Sequence, residues 1–299
     1  MKKTAGERIF NVLNITLLSL FALTTIYPFL NILAISFNEG QDAILGGITI
    51  FPRKFTLFNY QVVLQSEEIL GAFLFSTGMT LVRTIIVLFC TFAGAYAMIK
   101  KDLLFKKSIV TFFLIPMFIS GGLVPYYLVI RSLGLMNNPL VYILPVVFDF
   151  YYAIIMRVYI QSNIPESLIE SATLDGSTDF GVFFRIVLPL SKPMLAAIAL
   201  FIGVAAWNDW MTTMLFCSQN HSLWTLQFLL QKLVMQAETT MQLAIKMAGK
   251  SRTPLNRSLV TPQTITYATL MVSTMPIVII YPFLQKYFVS GIMIGAVKG

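Results

Sequence analysis

The sequence predicts an all-α membrane protein with six transmembrane helices and a short polar helix on the cytoplasmic side between the fourth and fifth. Three observations carry this. Hydrophobic residues make up 57% of the chain and charged residues 11%, at a mean hydropathy of +0.78, whereas a soluble domain has about a quarter of its residues charged. Apolar runs recur that exceed the roughly 20 residues needed to cross a hydrocarbon core at 1.5 Å rise per residue. Residues 9–38, 108–130 and 258–285 hold no charge, 69–99 hold only Arg83, 132–156 only Asp149, and 193–216 only Asp209. The third observation is a stretch unlike its surroundings, PESLIESATLDG at 165–176, in which Glu166, Glu170 and Asp175 precede a terminal glycine.

The N-terminal MKKTAGER and the apolar stretch after it have the order of a secretory signal, but the stretch outruns a signal core of roughly 7 to 15 residues. It reads as an uncleaved anchor and as span one, about 12–37. An outer segment follows with the turn-rich NEGQDAILGG and the basic FPRKFT. Span two, about 70–99, carries TFAGAYAMI, whose small residues Ala93, Gly94, Ala95 and Ala97 let another helix come close. Span three, about 108–130, contains Pro116, Gly121, Gly122 and Pro125, which predict a kink or break at its outer end. A membrane tolerates that where neighbouring protein re-satisfies the backbone. Span four runs from near Pro139 to Arg157, span five over about 193–215 and span six over about 262–286. The outer loop between the last two, about 217–262, exceeds the roughly 15 residues beyond which loops are usually functional. Residues 1–299 read as a single transmembrane domain, closed by a cytoplasmic tail at about 287–299.

Charge sets the orientation. With the N-terminus inside, the inner segments (1–11, 100–107, 157–192 and 286–299) hold 12 Lys and Arg in 69 residues, and the outer segments (38–69, 131–138 and 217–262) hold 8 in 86. The sharpest element is KKDLLFKK at 100–107, since short loops are where the positive-inside rule has force. Both termini are therefore expected in the cytoplasm. The net charge of +8 is spread over loops rather than gathered in an aromatic-laced patch, which argues against nucleic acid.

No catalytic residue and no metal site are expected. The chain lacks G-x-x-x-x-G-K-[ST], so it cannot cradle ATP phosphates by that device. A single histidine, His221, rules out H-E-x-x-H, and no G-x-S-x-G elbow occurs. Cys90 and Cys217 make neither a disulfide framework nor a metal cluster. Glu166, Glu170 and Asp175 lie on an exposed helix rather than in an apolar pocket that could tune them for acid–base work.

In the polar stretch, Pro165 and Glu166 suit a helix start, Gly176 supplies a left-handed stop, and Leu168, Ile169 and Ala172 form a narrow apolar face. A second helical piece, 177–188, has Ser177 as its expected cap. A helix lying on the membrane surface is usually rich in Lys and Arg, whereas 165–179 hold four acids and no base. The series Glu170, Ser171, Ala172, Asp175, Gly176, Ile186, Leu188, Pro189 resembles the E-A-A-x-x-x-G-x(9)-I-x-L-P loop of binding-protein-dependent ABC importer permeases. Nine residues separate Gly176 from Ile186 as that pattern requires, and Ser171 replaces its first alanine. LVPYYLVIRSLGLMNNP at 123–139, WNDW at 207–210 and YFVSGIMIGAVKG at 287–299 resemble MalG-like permeases of carbohydrate importers, and by overall pattern the chain is similar to the LplC and YtcP type, which go with complex oligosaccharides.

The resemblance implies a type I importer permease fold whose coupling helix docks in a groove of a cytoplasmic ATPase subunit. It also implies a second MalF-like permease, two ATPase subunits that bind ATP and Mg, and an extracytoplasmic solute-binding protein, with no cofactor in this chain itself. Lys298 and Gly299 of the tail are expected to touch the ATPase. Ionisable groups within spans tend to face a bundle interior or a cavity, so Arg83, Asp149 and Asp209 are candidates for the pathway or for a structural ion pair. Asn208 and Asp209 could hold sugar hydroxyls while Trp207 or Trp210 stacks, and Tyr126 and Tyr127 are further candidates, although aromatic residues also collect at membrane interfaces. The eight outer bases, including Lys246, Lys250, Arg252 and Arg257, fit an acidic oligosaccharide such as a uronate, and equally an acidic binding protein. The rival readings are a peptide or ion permease and a secondary transporter. The latter would need similarly broken helices paired between its halves.

Overall fold

A computed structural model of the chain describes residues 4–235 and 260–296. Regular structure among them is helical, apart from one isolated antiparallel bridge between Asn38 and Phe55. The described residues divide between two compact units, one drawn from Met1–Leu70 and Leu230–Met275, the other from Gly71–Leu229 and Pro276–Gly299.

The first unit opens with α1 (Ala5–Ser36). Thr4 and Glu7 form a reciprocal capping box, Thr4 N donating to Glu7 Oε2 at 2.9 Å and Glu7 N to Thr4 Oγ1 at 3.4 Å, which satisfies two donors a helix start leaves open. At the other end, the buried Asn59 donates its amide to the carbonyls of Ser36 and Asn38, both at 2.9 Å. Asn59 lies on α3 (Phe58–Gln65), reached through the short α2 (Gly40–Ile44). α4 (Glu67–Ile99) follows and begins with Glu67 and Glu68, which complement the positive end of its dipole.

Among the described residues three helices are long and apolar enough to cross a membrane: α1, α4 and the final helix over Pro262–Pro282. Two bent pairs supply one crossing each if counted together, Pro139–Val146 with Phe150–Asn163, bent by 50°, and Asp179–Leu190 with Lys192–Trp207, bent by 80°. The region expected as span three is two helices, α5 (Lys106–Phe118) and α6 (Leu123–Ser132), parted where Gly122 takes a φ of 83°. Of the kink or break expected there, the structure has a complete break.

Span four also differs from expectation, because two 3-10 turns precede α7 (Phe150–Asn163), which runs past Arg157. The cause is Asp149, whose Oδ1 accepts the Tyr152 amide at 3.1 Å and starts α7 as its N-cap. Next come α8 (Glu166–Leu174), α9 (Asp179–Val182), a π-helical turn at Phe183–Val187, α10 (Leu188–Leu190) and α11 (Lys192–Trp207). Thr178, not Ser177, caps α9, its Oγ1 accepting the Gly181 amide at 3.2 Å. The chain after α11 is no open loop at first. A π-helical turn spans Thr213–Cys217, and α12 (Leu226–Met235) follows. The last helix, α13 (Pro262–Ala296), covers most of the expected tail.

The core of the second unit joins Val87, Phe92 and Ala95 of α4 to Ala153, Met156 and Ile160 of α7, and to Val182, Phe183 and Val187. Gly94 is what admits this packing. A Cβ at that position would lie 2.4 Å from Cε2 of Phe148, whose ring in turn meets Phe113 at 5.1 Å. Between membrane helices, where lipid is as apolar as the protein, such close contact supplies association by dispersion rather than by water exclusion.

Candidate functional site

The polar helix α8 is held by one face and leaves the other open. Ile169 and Ala172 pack against the second unit's core, while Leu168 is exposed, so the inward stripe is narrower than the sequence pattern suggested. The helix ends in a full Schellman motif. Ser177 N donates to Ala172 O at 2.9 Å and Gly176 N to Thr173 O at 3.0 Å, with Gly176 at a φ of 84°. Nothing lies within 4 Å of where a Gly176 Cβ would stand, so glycine is required there by backbone conformation and not by crowding.

Lysines of the 100–107 loop fix α8 and its successor. Lys101 Nζ meets Glu166 Oε1 at 2.5 Å, and Lys100 pairs with Asp179 while lying 4.9 Å over the Tyr96 ring. The hydrogen bond to Glu166 comes first, and the charges of Glu166 and Glu170 follow, in raising the Lys101 ammonium above its ordinary range. For Lys100, partial burial works against the charge, and the bonds to Asp179 and Tyr96 overcome it, so its pKa is also raised. Both lysines stay charged across the neutral range.

Glu170, Ser171, Asp175 and Gly176 are exposed on this handle, and Ala172 is half-buried. Ile186, Leu188 and Pro189 are half-buried behind it, with Leu188 packed on the core. The structure adds Leu174, 88% exposed, and Phe180, 77% exposed, which the motif did not single out. Leu174 falls off the 168, 169, 172 stripe, which is the one sequence signal for its outward position. For Phe180 no such signal exists.

The WNDW stretch lies where α11 stops. Asp209 Oδ2 accepts from Arg83 Nη1 at 2.7 Å and from Thr212 Oγ1 at 2.8 Å, and its Oδ1 accepts the Thr212 amide at 3.1 Å. Asp149 stands apart from this pair, its backbone amide donating to Thr91 Oγ1 at 3.1 Å. Trp207 is buried edge-on to Phe73 at 5.9 Å, and Trp210 is half-buried. Asn208 is exposed, its Oδ1 accepting from Gln227 at 3.3 Å. Tyr126 and Tyr127 both pack on Phe216, at 5.7 and 5.8 Å.

A buried hydroxyl network braces the following turn. Tyr142 donates to the Leu223 carbonyl at 2.8 Å and meets Thr213 Oγ1 at 2.8 Å, Thr213 meets Thr225 at 3.0 Å, and Thr225 donates to the Asp209 carbonyl at 3.1 Å. A π-helical turn inside such a network is of the kind found at functional sites. Elsewhere in this unit a cavity of about 300 Å³ opens between α4, α11 and α13, walled by Leu81, Ile85, Val204, Ile280 and Trp207. Threonines supply its few polar groups, too few to hold a sugar's hydroxyls. Lys246, Lys250, Arg252, Arg257, Lys298 and Gly299 lie outside the described residues.

Apolar helices, several of them broken, and a short polar helix stopped by glycine are the features of a membrane permease of the type I importer fold, and the matches to known proteins agree. The chain belongs to the family of binding-protein-dependent transport system inner membrane components, whose profile matches residues 86–294. It is 35% identical over 293 residues to the polygalacturonan/rhamnogalacturonan transport system permease protein YtcP of Bacillus subtilis, covering 98% of this chain and 99% of that one. Protein LplC of the same organism is 36% identical over 299 residues, covering 100% and 98%. Among solved structures, a bacterial ABC transporter involved in the import of the acidic polysaccharide alginate matches with a TM-score of 0.84 and 26% identity, over 96% of this chain and 99% of that one.

Proposed function

We propose that this permease forms half of the pathway of an ATP-driven importer of acidic oligosaccharides. The observation that carries the substrate class is its similarity over nearly full length to a polygalacturonan/rhamnogalacturonan permease and to a chain of an alginate importer, since polymers of uronic acid are anionic at neutral pH. The coupling loop, about 157–192, faces the cytoplasm, where Glu170 and Leu174 of α8, Asp175 at its end and Phe180 of α9 meet a groove of an ATPase subunit. ATP and Mg are bound by two such subunits and not by this chain. Lys298 and Gly299 add a tail contact to the same partner. A second permease completes the pathway, and a solute-binding protein delivers sugar to the outer loop, about 217–262. Residues 1–299 act as one permease domain with both termini inside. ATP-driven closure of the ATPases draws the coupling helices together and opens the permease pair outward.

Uptake of a fluorescent oligogalacturonide by cells carrying or lacking this chain tests the substrate class, with a neutral arabinan or maltodextrin fragment of equal length as competitor. Uptake that depends on the chain and resists neutral competitor is expected. Equal competition by the neutral sugar would move the outer bases from the substrate to the binding protein. The chain purified alone should hydrolyse no ATP.

A further inference from the structure

The segment between α1 and α3 is pinned so tightly that its exposed apolar residues cannot fold away. Glu39 N donates to Lys54 O at 2.9 Å and Thr56 N to Phe37 O at 2.7 Å, closing the segment's neck. Inside the neck, the buried Asn38 donates to Asp42 Oδ2 at 2.9 Å and accepts the Lys54 amide at 2.8 Å, while Arg53 Nε reaches the same Asp42 oxygen at 3.0 Å. Despite this bracing, Leu45 and Phe51 are each 79% exposed, and Ile44 and Phe55 are exposed beside them.

The segment also doubles back along α1. The Asn31 amide donates to Ile48 O at 2.7 Å and to Thr49 O at 2.9 Å. Asn31 is five residues short of the helix end at Ser36, so residues 48–49 hang about 7.5 Å back from that end, at 1.5 Å per residue. The apolar run of α1 spans Ile9–Ser36, and none of its most apolar window is buried within the chain. Centring about 20 residues of hydrocarbon core in that run puts its far edge near residue 32, so Asn31 stands at the boundary of acyl chains and headgroups. Phe51, two residues past Thr49, is held near that level, and the surface of α1 just before Asn31 is itself exposed, Tyr27 at 48% and Phe29 at 57%. Aromatic side chains favour this depth, and the neighbouring bases are already paired, Arg53 with Asp42 and Lys54 with Glu39 at 3.5 Å.

We propose that residues 44–55 form a membrane-interface collar, in which Leu45 and Phe51 insert at the boundary of headgroups and acyl chains beside the far end of α1. The proposal rests on α1 crossing a bilayer, and not on the substrate or on which side is cytoplasmic. The collar fixes the depth of a helix whose apolar run is longer than the membrane needs. Because its charges are internally paired, it recognises the interface rather than an anionic lipid.

The test places a benzoylphenylalanine probe at Phe51, at Leu45 and, as reference, at Glu170 in the complete transporter, reconstituted in nanodiscs of phosphatidylcholine with or without phosphatidylglycerol. After irradiation, phospholipid adducts are counted by intact mass. Labelling at Phe51 and Leu45 roughly fivefold or more above Glu170, alike in both lipid mixtures, is expected for side chains that rest among acyl chains. Asn31→Ala, which frees residues 48–49 from α1, should lower the Phe51 adduct. Crosslinks from both probes to another permease or to a binding protein, or lipid labelling no higher than at Glu170, would overturn the proposal. Labelling that required phosphatidylglycerol would replace the collar with a headgroup-specific site.

Discussion

Arg83 of α4 and Asp209 at the end of α11 are 126 residues apart in sequence and meet at 2.7 Å, their side chains only 14% and 15% exposed. A lone charge at such depth is costly, and removing one partner of a buried pair costs about 3 to 5 kcal/mol because the other is stranded. Asp209→Asn and Arg83→Gln should therefore each lower the unfolding temperature of the solubilised complex, and the double variant should recover part of that loss. If Asp209 instead served only as a sugar ligand, uptake would fall with no loss of stability and no recovery in the double variant.

Packing at Gly94 gives a second prediction. Its place against the Phe148 ring leaves no room for a methyl group, and overpacking of this kind costs about 1 to 3 kcal/mol. Gly94→Ala should lower thermal stability, and adding Phe148→Leu should return some of it. Equal stability of Gly94→Ala and the unaltered chain would mean that α4 has slack the packing does not show.

The lysine loop is open to a charge-swap experiment. Lys101→Glu should loosen α8, and Lys101→Glu with Glu166→Lys should restore it. Both side chains are largely exposed, so the effect should shrink in high salt. Protease sensitivity of the 165–180 stretch at two ionic strengths reads this out, and a loss that is the same at both would assign the contact to something other than charge.

Acid should act on the collar. The hydrogen bond from Asn38 leads in holding the Asp42 carboxyl below its ordinary 3.8, opposed by partial burial and seconded by Arg53. A lowered carboxylate contributes stability above its unfolded pKa and loses that contribution as pH falls through the folded value. Bracing of residues 38–54 should thus be constant from neutral pH to mildly acidic pH and weaken only below the ordinary carboxylate range. Hydrogen exchange at the Lys54 amide should show this, and Asp42→Asn should be loose throughout. Loosening that begins near pH 6 would point to another group.

The helical membrane class was legible because composition and apolar run length state it directly, and the α8 handle because Pro165, the acids and Gly176 punctuate it. The breaks at Asp149 and Asp209 were not. In an apolar run each acid looks like a buried functional group, yet Asp149 caps a helix through the Tyr152 amide three residues on, and Asp209 takes the cation of Arg83, an ion pair the sequence offered as one alternative without telling which acid makes it. Trp207 illustrates the same limit. Next to Asn208 it suggests a sugar platform, but the helix turns it inward against Phe73. The bracing of the segment after α1 through Asn31, Asn38 and Asn59 also escaped notice, since these asparagines are chosen by long-range backbone carbonyls and amides that no spacing reveals.

The proposed transmission of ATPase motion through α8 depends on a helix end whose left-handed backbone suits glycine. Valine at a φ of 84° is strained by about 1 to 3 kcal/mol, with no steric clash to confuse the effect, and Glu170→Lys inverts a charge on the open face. The most direct measurement combines Gly176→Val with Glu170→Lys and follows co-purification of the ATPase subunits together with oligosaccharide uptake, at matched expression. The account predicts a chain that still inserts and pairs with the second permease but loses both its ATPase and its uptake. A transporter that keeps its ATPase bound and its uptake intact would show α8 to be a passive connection.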